Sequence, residues 1–204
     1  MAFFTATALV AGTGLGVLAV ATRSRGVQHL DDLLEARVEP HRLRLRRVAG
    51  AVTLTGEKFV HPVIAAVTAA TLLLTRPGPA LRFWLPLAGA SLGGILVHHL
   101  VKFVYHRPRP EVALLRDKTE AAFPSGHTTN ATAVVATSAY ILVREGMVSV
   151  PAAVSSVIVL CVATGLSRVV LGWHWGTDVL GGWMAGIGVA ALCCWAYEYL
   201  RAFG

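Results

Sequence analysis

Six apolar stretches recur along this chain of 204 residues, at positions 3–21, 59–75, 83–101, 127–143, 150–166 and 179–197. Each approaches the roughly 20 residues that an α-helix needs to cross a bilayer core. In lipid, every backbone N–H and C=O must find a partner inside the protein, which only helices and closed barrels achieve. The spacing therefore predicts an all-α, polytopic membrane protein with six transmembrane helices, forming a single membrane-embedded domain over residues 1–204. Composition agrees: 55% of residues are hydrophobic and only 14% charged, against about a quarter charged in an average soluble chain. The mean hydropathy of +0.62 excludes a disordered chain, and the crowding of apolar stretches excludes a large extramembrane domain. Ala19-Val20-Ala21 resembles a signal-cleavage site, yet Met1-Ala2-Phe3-Phe4 lacks a positive n-region, so the first stretch is read as a retained span.

One long polar segment, residues 22–58, interrupts this pattern between the first and second stretches. Val27, Leu30, Leu34 and Val38 recur at helical spacing, with Asp31, Asp32, Glu35 and Arg37 on other faces. Pro40 is expected to end that helix, and Arg42, Arg44, Arg46 and Arg47 follow. Two readings stand side by side: an amphipathic element lying in the membrane interface, or a solvated loop. The remaining connections are short, with turns at Arg76-Pro77-Gly78-Pro79 and Arg144-Glu145-Gly146. Gly12/Gly16 and Gly182/Gly186 have the small-xxx-small spacing that lets helices approach closely within one chain. Cys161, Cys193 and Cys194 all sit in apolar stretches, which favours neither a disulfide framework nor a zinc site.

The net charge of +7 does not point to nucleic acid, because no basic helix or recognised binding module accompanies it. It points to membrane lipids and to an anionic substrate. Three polar clusters interrupt the apolar pattern: Lys102 to Pro110 at the end of the third stretch, Pro124-Ser125-Gly126-His127 at the start of the fourth, and Ser167-Arg168, His174 and Asp178 between the fifth and sixth. Only a loop separates the first cluster from the second, and two crossings separate the second from the third. Parity therefore brings all three to one membrane face.

The residue types then define a chemistry. Lys102, Arg109 and Arg168 supply positive charge, and arginine's planar fork matches phosphate oxygens. Ser125 and Gly126 begin a helix, whose N-terminal N–H groups attract anions. His174 and Asp178 share a face if their segment is helical; a carboxylate on one ring nitrogen fixes the tautomer and frees the other as a nucleophile. His127 is then available as a general acid toward the leaving oxygen. The adjacent His98-His99 pair points to different sides of a helix and is not read as a metal site. Trp173 and Trp175 are read as interface anchors.

These residues resemble the three-part signature of the type-2 phosphatidic acid phosphatase family, also called lipid phosphate phosphatases. Lys102 followed after six residues by Arg109-Pro110 matches its first part, Pro124-Ser125-Gly126-His127 its second, and Ser167-Arg168 with His174 and Asp178 its third. The matched segment spans residues 102–178. The resemblance implies a six-helix membrane fold and hydrolysis of a lipid phosphate ester without metal or other cofactor, through a phosphohistidine intermediate. It makes His174 the nucleophile supported by Asp178, and His127 the acid/base. It assigns phosphate binding to Lys102, Arg109, Ser125, Gly126 and Arg168. Soluble vanadium haloperoxidases share this pocket, but nothing else in the chain suggests a soluble fold.

Sidedness carries a conflict. Fourteen of the eighteen Lys and Arg lie on the motif face, which the positive-inside rule would place in the cytoplasm. The family resemblance implies a cell-membrane enzyme with an extracytoplasmic active face, and that expectation is kept. A phosphotransferase, or a non-catalytic lipid-binding or transport protein, would share the cationic pocket. A transporter would place ionisable residues near the midplane and show internal repeats, and neither is visible.

Overall fold

Helices form where the apolar stretches lie. The computed structural model describes residues 1–57, 59–76, 78–114 and 121–203. Helix α1 spans Ala2–Ala21, α2 Arg25–Val38, α3 Arg42–Thr53, α4 Val60–Thr75, α5 Leu81–Val104, the short α6 Glu111–Leu114, α7 Gly126–Arg144, α8 Val150–Val170 and α9 Gly176–Phe203. All regular structure among the described residues is helical. Lys58, Pro77, Arg116 and Lys118, which entered the polar insert, the first turn and the charge count, lie outside the described residues.

By length and composition, α1, α5, α8 and α9 can each cross a membrane. A bent pair running from Arg25 to Gly56 and on through Val60–Thr75, with 53° between its parts, raises the number of candidate crossings to five. Helix α4 has 16 residues. Helix α7 has 19, but its buried face carries Thr128, Thr129, Asn130, Thr132, Thr137 and Ser138.

Many small and polar side chains face inward and many large apolar ones outward, around a buried apolar cluster that includes Leu72, Phe83, Leu87, Ile141 and Tyr197. Helices α7 and α9 form its centre: α7 packs on α5, α8 and α9, and α9 also takes α1 and α5. Along α8, Val150, Val154, Ile158 and Val159 are exposed while Thr164, Gly165, Ser167 and Arg168 are buried. Lipid tails are as apolar as leucine, so membrane helices gain little by hiding leucine and associate instead through close backbone approach and hydrogen bonds. Some of the inward hydroxyls are satisfied locally: Thr137 donates to the Ala133 carbonyl at 2.7 Å and Thr129 to that of Ser125 at 2.9 Å.

The polar insert folds as two helices rather than a loop. Ser24 caps α2 by accepting from Val27 N–H, and the helix stops at Val38, with Pro40 in the 3-10 turn Glu39–His41. The four arginines fall on α3. Arg42 bonds Glu35 at 2.5 Å and donates through Nε to the Val170 carbonyl at 3.0 Å. The insert is thereby fastened to the end of α8.

Of the two glycine pairs, only one is a packing contact. A Cβ at Gly186 would lie 2.5 Å from Thr132 Cβ and 2.7 Å from the Thr129 carbonyl oxygen, and one at Gly182 would lie 2.9 Å from the Ser125 carbonyl oxygen. Gly12 and Gly16 meet nothing within 4 Å, because α1 turns that side away from the chain. Gly186→Ala should therefore destabilise the purified protein by about 1–3 kcal/mol through overpacking. Gly12→Ala should stay within about 0.5 kcal/mol of wild type. Thermal unfolding in detergent checks both.

Candidate active site

The end of the bundle where α7 and α9 begin and α5 and α8 finish collects the residues singled out by the sequence. Asp178 is fully buried at 0% exposure, in the third position of α9. Its Oδ2 accepts the Trp175 N–H at 2.9 Å, the arrangement of a capping box in which the third helical residue reaches back to the N-cap amide. Its backbone carbonyl accepts the Ser125 N–H at 2.9 Å, so the second and third sequence clusters are joined by main chain. This corrects one expectation: the Ser125 N–H is engaged by Asp178 and does not face an anion. Ser125 itself is buried, accepting from Thr128 Oγ1 at 3.0 Å, and its side chain makes no cap on α7. The first-turn N–H groups of α7, which have no intrahelical acceptor, are left without a side-chain cap.

His174 lies just before α9 rather than within it, so the proximity to Asp178 comes from the turn and not from a shared helical face. Its Nδ1 stands 3.6 Å from Asp178 Oδ2, longer than a hydrogen bond, and has no other partner among the described residues. Burial holds the imidazole well below the usual histidine range, and the charges of Arg109, Arg168 and Lys102 push it further down. A backbone hydrogen bond at Ala122 opposes them. His174 is therefore neutral at pH 7.

The cations come from three directions. Arg109 is buried and donates to the Trp173 carbonyl at 3.0 Å. Arg168 is buried, donates through Nη1 to Thr53 Oγ1 at 2.5 Å, and stacks 4.2 Å over the Trp173 ring; its Nε is buried with no partner among the described residues. Lys102 is near enough for its charge to act on both His174 and His127, as does that of Arg168. His127, in the first turn of α7, is an interaction partner of His174 as well, and its Nε2 lies 3.4 Å from Glu57 Oε1. Gly126 sits where a Cβ would come within 3.0 Å of the His98 ring. All eight predicted site residues thus lie at one end of the bundle.

Several contacting residues were not anticipated. Glu57 and Thr53 come from the polar insert. Asp31, also from the insert, accepts the Thr177 N–H at 3.0 Å and Arg107 Nη2 at 2.6 Å. Trp173 and Trp175, read from the sequence as interface anchors, also lie against cations, Arg168 and Arg107 respectively. Arg107 lay within the six-residue gap of the first motif, and its Arg-Pro-Arg-Pro context was the available signal.

Fold and site define a helical membrane protein whose bundle end gathers a cluster of cations, histidines and a buried carboxylate. The PAP2 superfamily profile matches residues 82–202, and the chain belongs to that superfamily. It is 32% identical over 181 residues to phosphatidylglycerophosphatase B of Bacillus subtilis (strain 168), covering 84% of this chain and 85% of that one. It is also 32% identical over 118 residues to undecaprenyl-diphosphatase BcrC of the same organism, covering 55% and 57%. The crystal structure of a transmembrane PAP2-type phosphatidylglycerolphosphate phosphatase from Bacillus subtilis superposes with a TM-score of 0.82 at 27% identity, over 97% of this chain and 99% of that one.

The depressed His174 has a consequence for stability. In the unfolded chain it binds a proton below the ordinary value of 6.5, whereas in the fold it stays neutral to well below that. The unfolded state therefore holds more protons in this window, and stability rises with pH through it. In His174→Asn the fall in melting temperature between pH 7 and pH 5 should be shallower than in wild type, as read by thermal unfolding in detergent at a series of pH values.

Proposed function

We propose that this protein is an integral-membrane lipid phosphatase that hydrolyses a phosphate monoester or diphosphate ester through a phosphohistidine intermediate, without a metal. The observation that carries the reading is the neutral, buried His174 standing between Asp178 and three converging cations. A phosphomonoester brings nearly two negative charges, which those cations attract. Arg168 Nε, buried without a described partner, suits a phosphate oxygen, and so do the uncapped N–H groups of α7 beside Gly126.

In the proposed reaction, the ring nitrogen of His174 turned away from Asp178 attacks phosphorus in line with the leaving oxygen. A P–N bond forms as the P–O bond to the lipid breaks, and His127 delivers a proton to the departing alkoxide or phosphate. Water, deprotonated by His127, then attacks the phosphohistidine; the P–N bond breaks, releasing phosphate and restoring His174. Lys102, Arg109 and Arg168 offset the charge on the equatorial oxygens in both steps. Asp178 holds the His174 tautomer; contacts of this kind commonly shorten once substrate is loaded. Ser125 and Gly126 shape the pocket floor, glycine being required by the close His98 ring.

The relatives' names support a lipid phosphate or diphosphate as substrate, and the candidates are phosphatidylglycerol phosphate, undecaprenyl diphosphate and phosphatidic acid. We further propose six crossings, with α4 and α7 completing the four longer helices, in the cell membrane, and the motif end on the extracytoplasmic face. Exposed Leu30, Leu33, Leu34, Leu43 and Leu45 on α2 and α3 support an amphipathic element lying in the interface on that side.

Phosphate release from these three lipids in detergent with excess chelator tests the chemistry. Wild type should turn over at least one of them, and His174→Ala should lose about 10³-fold or more, as for removal of a covalent nucleophile. No release by folded wild-type protein on any of the three would move the reading to a binding or transport role. A paired-activity reporter fused after residue 204 tests the orientation: with six crossings and an outward motif end, it should report a cytoplasmic C-terminus. An extracytoplasmic signal would invert the assignment.

A further inference from the structure

We propose that Asp31 and Arg107 are positioning residues for the reaction, acting through Asp178 to hold His174, so that α2 of the polar insert is part of the catalytic apparatus. The inference rests on the phosphatase reading above and adds two residues outside its eight.

Asp31 is the buried residue of α2, at 3% exposure on a helix whose leucines are exposed. A carboxylate is costly to bury unless charge and hydrogen bonds compensate it, and here both do. Its Oδ1 accepts the Thr177 N–H at 3.0 Å. Its Oδ2 accepts Thr177 Oγ1–H at 2.6 Å and Arg107 Nη2–H at 2.6 Å. The other arm of the same guanidinium, Nη1, reaches Asp178 Oδ1 at 2.7 Å and Thr177 Oγ1 at 2.6 Å. One planar fork therefore spans two buried carboxylates.

The consequence lies in which Asp178 oxygen is occupied. Arg107 pins Oδ1, and the Trp175 N–H pins Oδ2. With both oxygens fixed, the carboxylate plane is set, and Oδ2 faces His174 Nδ1. Releasing Arg107 frees that plane to rotate. Releasing Asp31 leaves Nη2 of Arg107 without its carboxylate and the guanidinium held, among the described residues, by Thr177, the stacking face of Trp175 and Asp178 itself, so its grip on the Asp178 plane loosens. The chain of effect runs Asp31, Arg107, Asp178, His174. A cavity of about 410 Å³ borders it, lined in part by Asp31, Arg107 and Trp175, so a truncated side chain can be replaced by water.

Purified full-length protein in detergent serves for the test, with Asp31→Asn, Arg107→Gln, Arg107→Lys and the Asp31→Asn/Arg107→Gln pair. Turnover is measured on p-nitrophenyl phosphate and on phosphatidic acid, beside thermal unfolding and inhibition by vanadate and by inorganic phosphate. Outer partners of a metal-bound histidine are worth about 10–100-fold in activity, and a loss of about tenfold or more in kcat is expected here for Arg107→Gln on both substrates. KM should change by less than about threefold, since a positioning group acts on the transition state. Vanadate, which can adopt the five-coordinate geometry of the transition state, should lose affinity in step with kcat while inorganic phosphate does not. Arg107→Lys, which keeps the charge but not the fork, should recover part of the loss. The pair should be no slower than its slower single variant, because the two residues act in series.

Folded Asp31→Asn and Arg107→Gln with kcat within about twofold of wild type would overturn the proposal. So would losses confined to KM, or a lowered melting temperature with unchanged kcat below it, either of which marks a mere clamp on α2. If Arg107→Gln does not fold, the near-isosteric Asp31→Asn carries the decision by the same criteria; if neither folds, wild-type kcat in Arg107→Lys overturns the proposal and a selective kcat loss supports it. His174→Ala runs alongside: activity retained there defeats the phosphatase mechanism itself, whereas an inactive His174→Ala beside fully active Asp31 and Arg107 variants defeats only the positioning role.

Discussion

A carboxylate at zero exposure at the start of α9 is the point on which this site depends. Asp178 cannot sit there alone, because moving an ionised carboxylate from water into an apolar interior is far costlier than any single contact returns. Its surroundings are therefore organised around it: the Arg107 guanidinium on one oxygen, the Trp175 amide on the other, and the Ser125 amide on its carbonyl. Those three partners come from the α5–α6 connection, the α8–α9 turn and the start of α7. Satisfying the buried charge draws Arg107 to the α8–α9 turn, the bond to the Asp178 backbone carbonyl brings in the start of α7, and the cations and histidines arrive with them. Each bond is short-range, but together they fix where α7 and α9 begin, and Gly182 and Gly186 then let the two helices run close together.

Much of this was legible in the residues. The helices α1, α4, α5, α7, α8 and α9 cover the six apolar stretches, because apolar runs of crossing length have few other structures open to them. The convergence of Lys102, Arg109, Ser125, Gly126, His127, Arg168, His174 and Asp178 followed from counting spans between clusters. What escaped was tertiary. Nothing local in Asp31 distinguishes it from the neighbouring Asp32, although one is buried against Thr177 and Arg107 and the other is exposed. The i to i+4 spacing of His174 and Asp178 suggested a helical face, whereas the chain turns at Gly172, with φ of +69°, and the helix begins only at Gly176. The Ser125 N–H looked available for an anion until the fold placed the Asp178 carbonyl against it. The arginines over Trp173 and Trp175 likewise had no signal in the sequence, where the two tryptophans suggested only the membrane interface.

The polar insert changes the meaning of the charge distribution. Read as loop residues, its arginines weigh toward a cytoplasmic motif face. In the fold, Arg42 is held by Glu35 and the Val170 carbonyl, and α3 runs against α8. Arg42 thus has a packing role of its own. The insert also reaches the site at three points: Thr53 on Arg168, Glu57 on His127, and Asp31 on Arg107. A segment that only lay on lipid would need none of them.

On the proposed reading, the electrostatics of the pocket and the choice of a histidine nucleophile support each other. A lysine or arginine cluster strong enough to gather a phosphate dianion also penalises any further positive charge nearby. A histidine inside that cluster is therefore kept neutral, with a ring lone pair available, and needs no separate base to make it so. Burial adds to the same direction. Phosphoryl transfer then places a positive charge on the imidazole at the moment the dianion becomes bonded to it, so the anion that the cations attracted offsets the charge they would otherwise resist. Asp178 supplies the remaining compensation from the other side of the ring, provided its own position is held. The cationic pocket, the buried carboxylate and the uncharged histidine are accordingly one electrostatic arrangement, in which the cations keep the histidine neutral until the phosphate arrives.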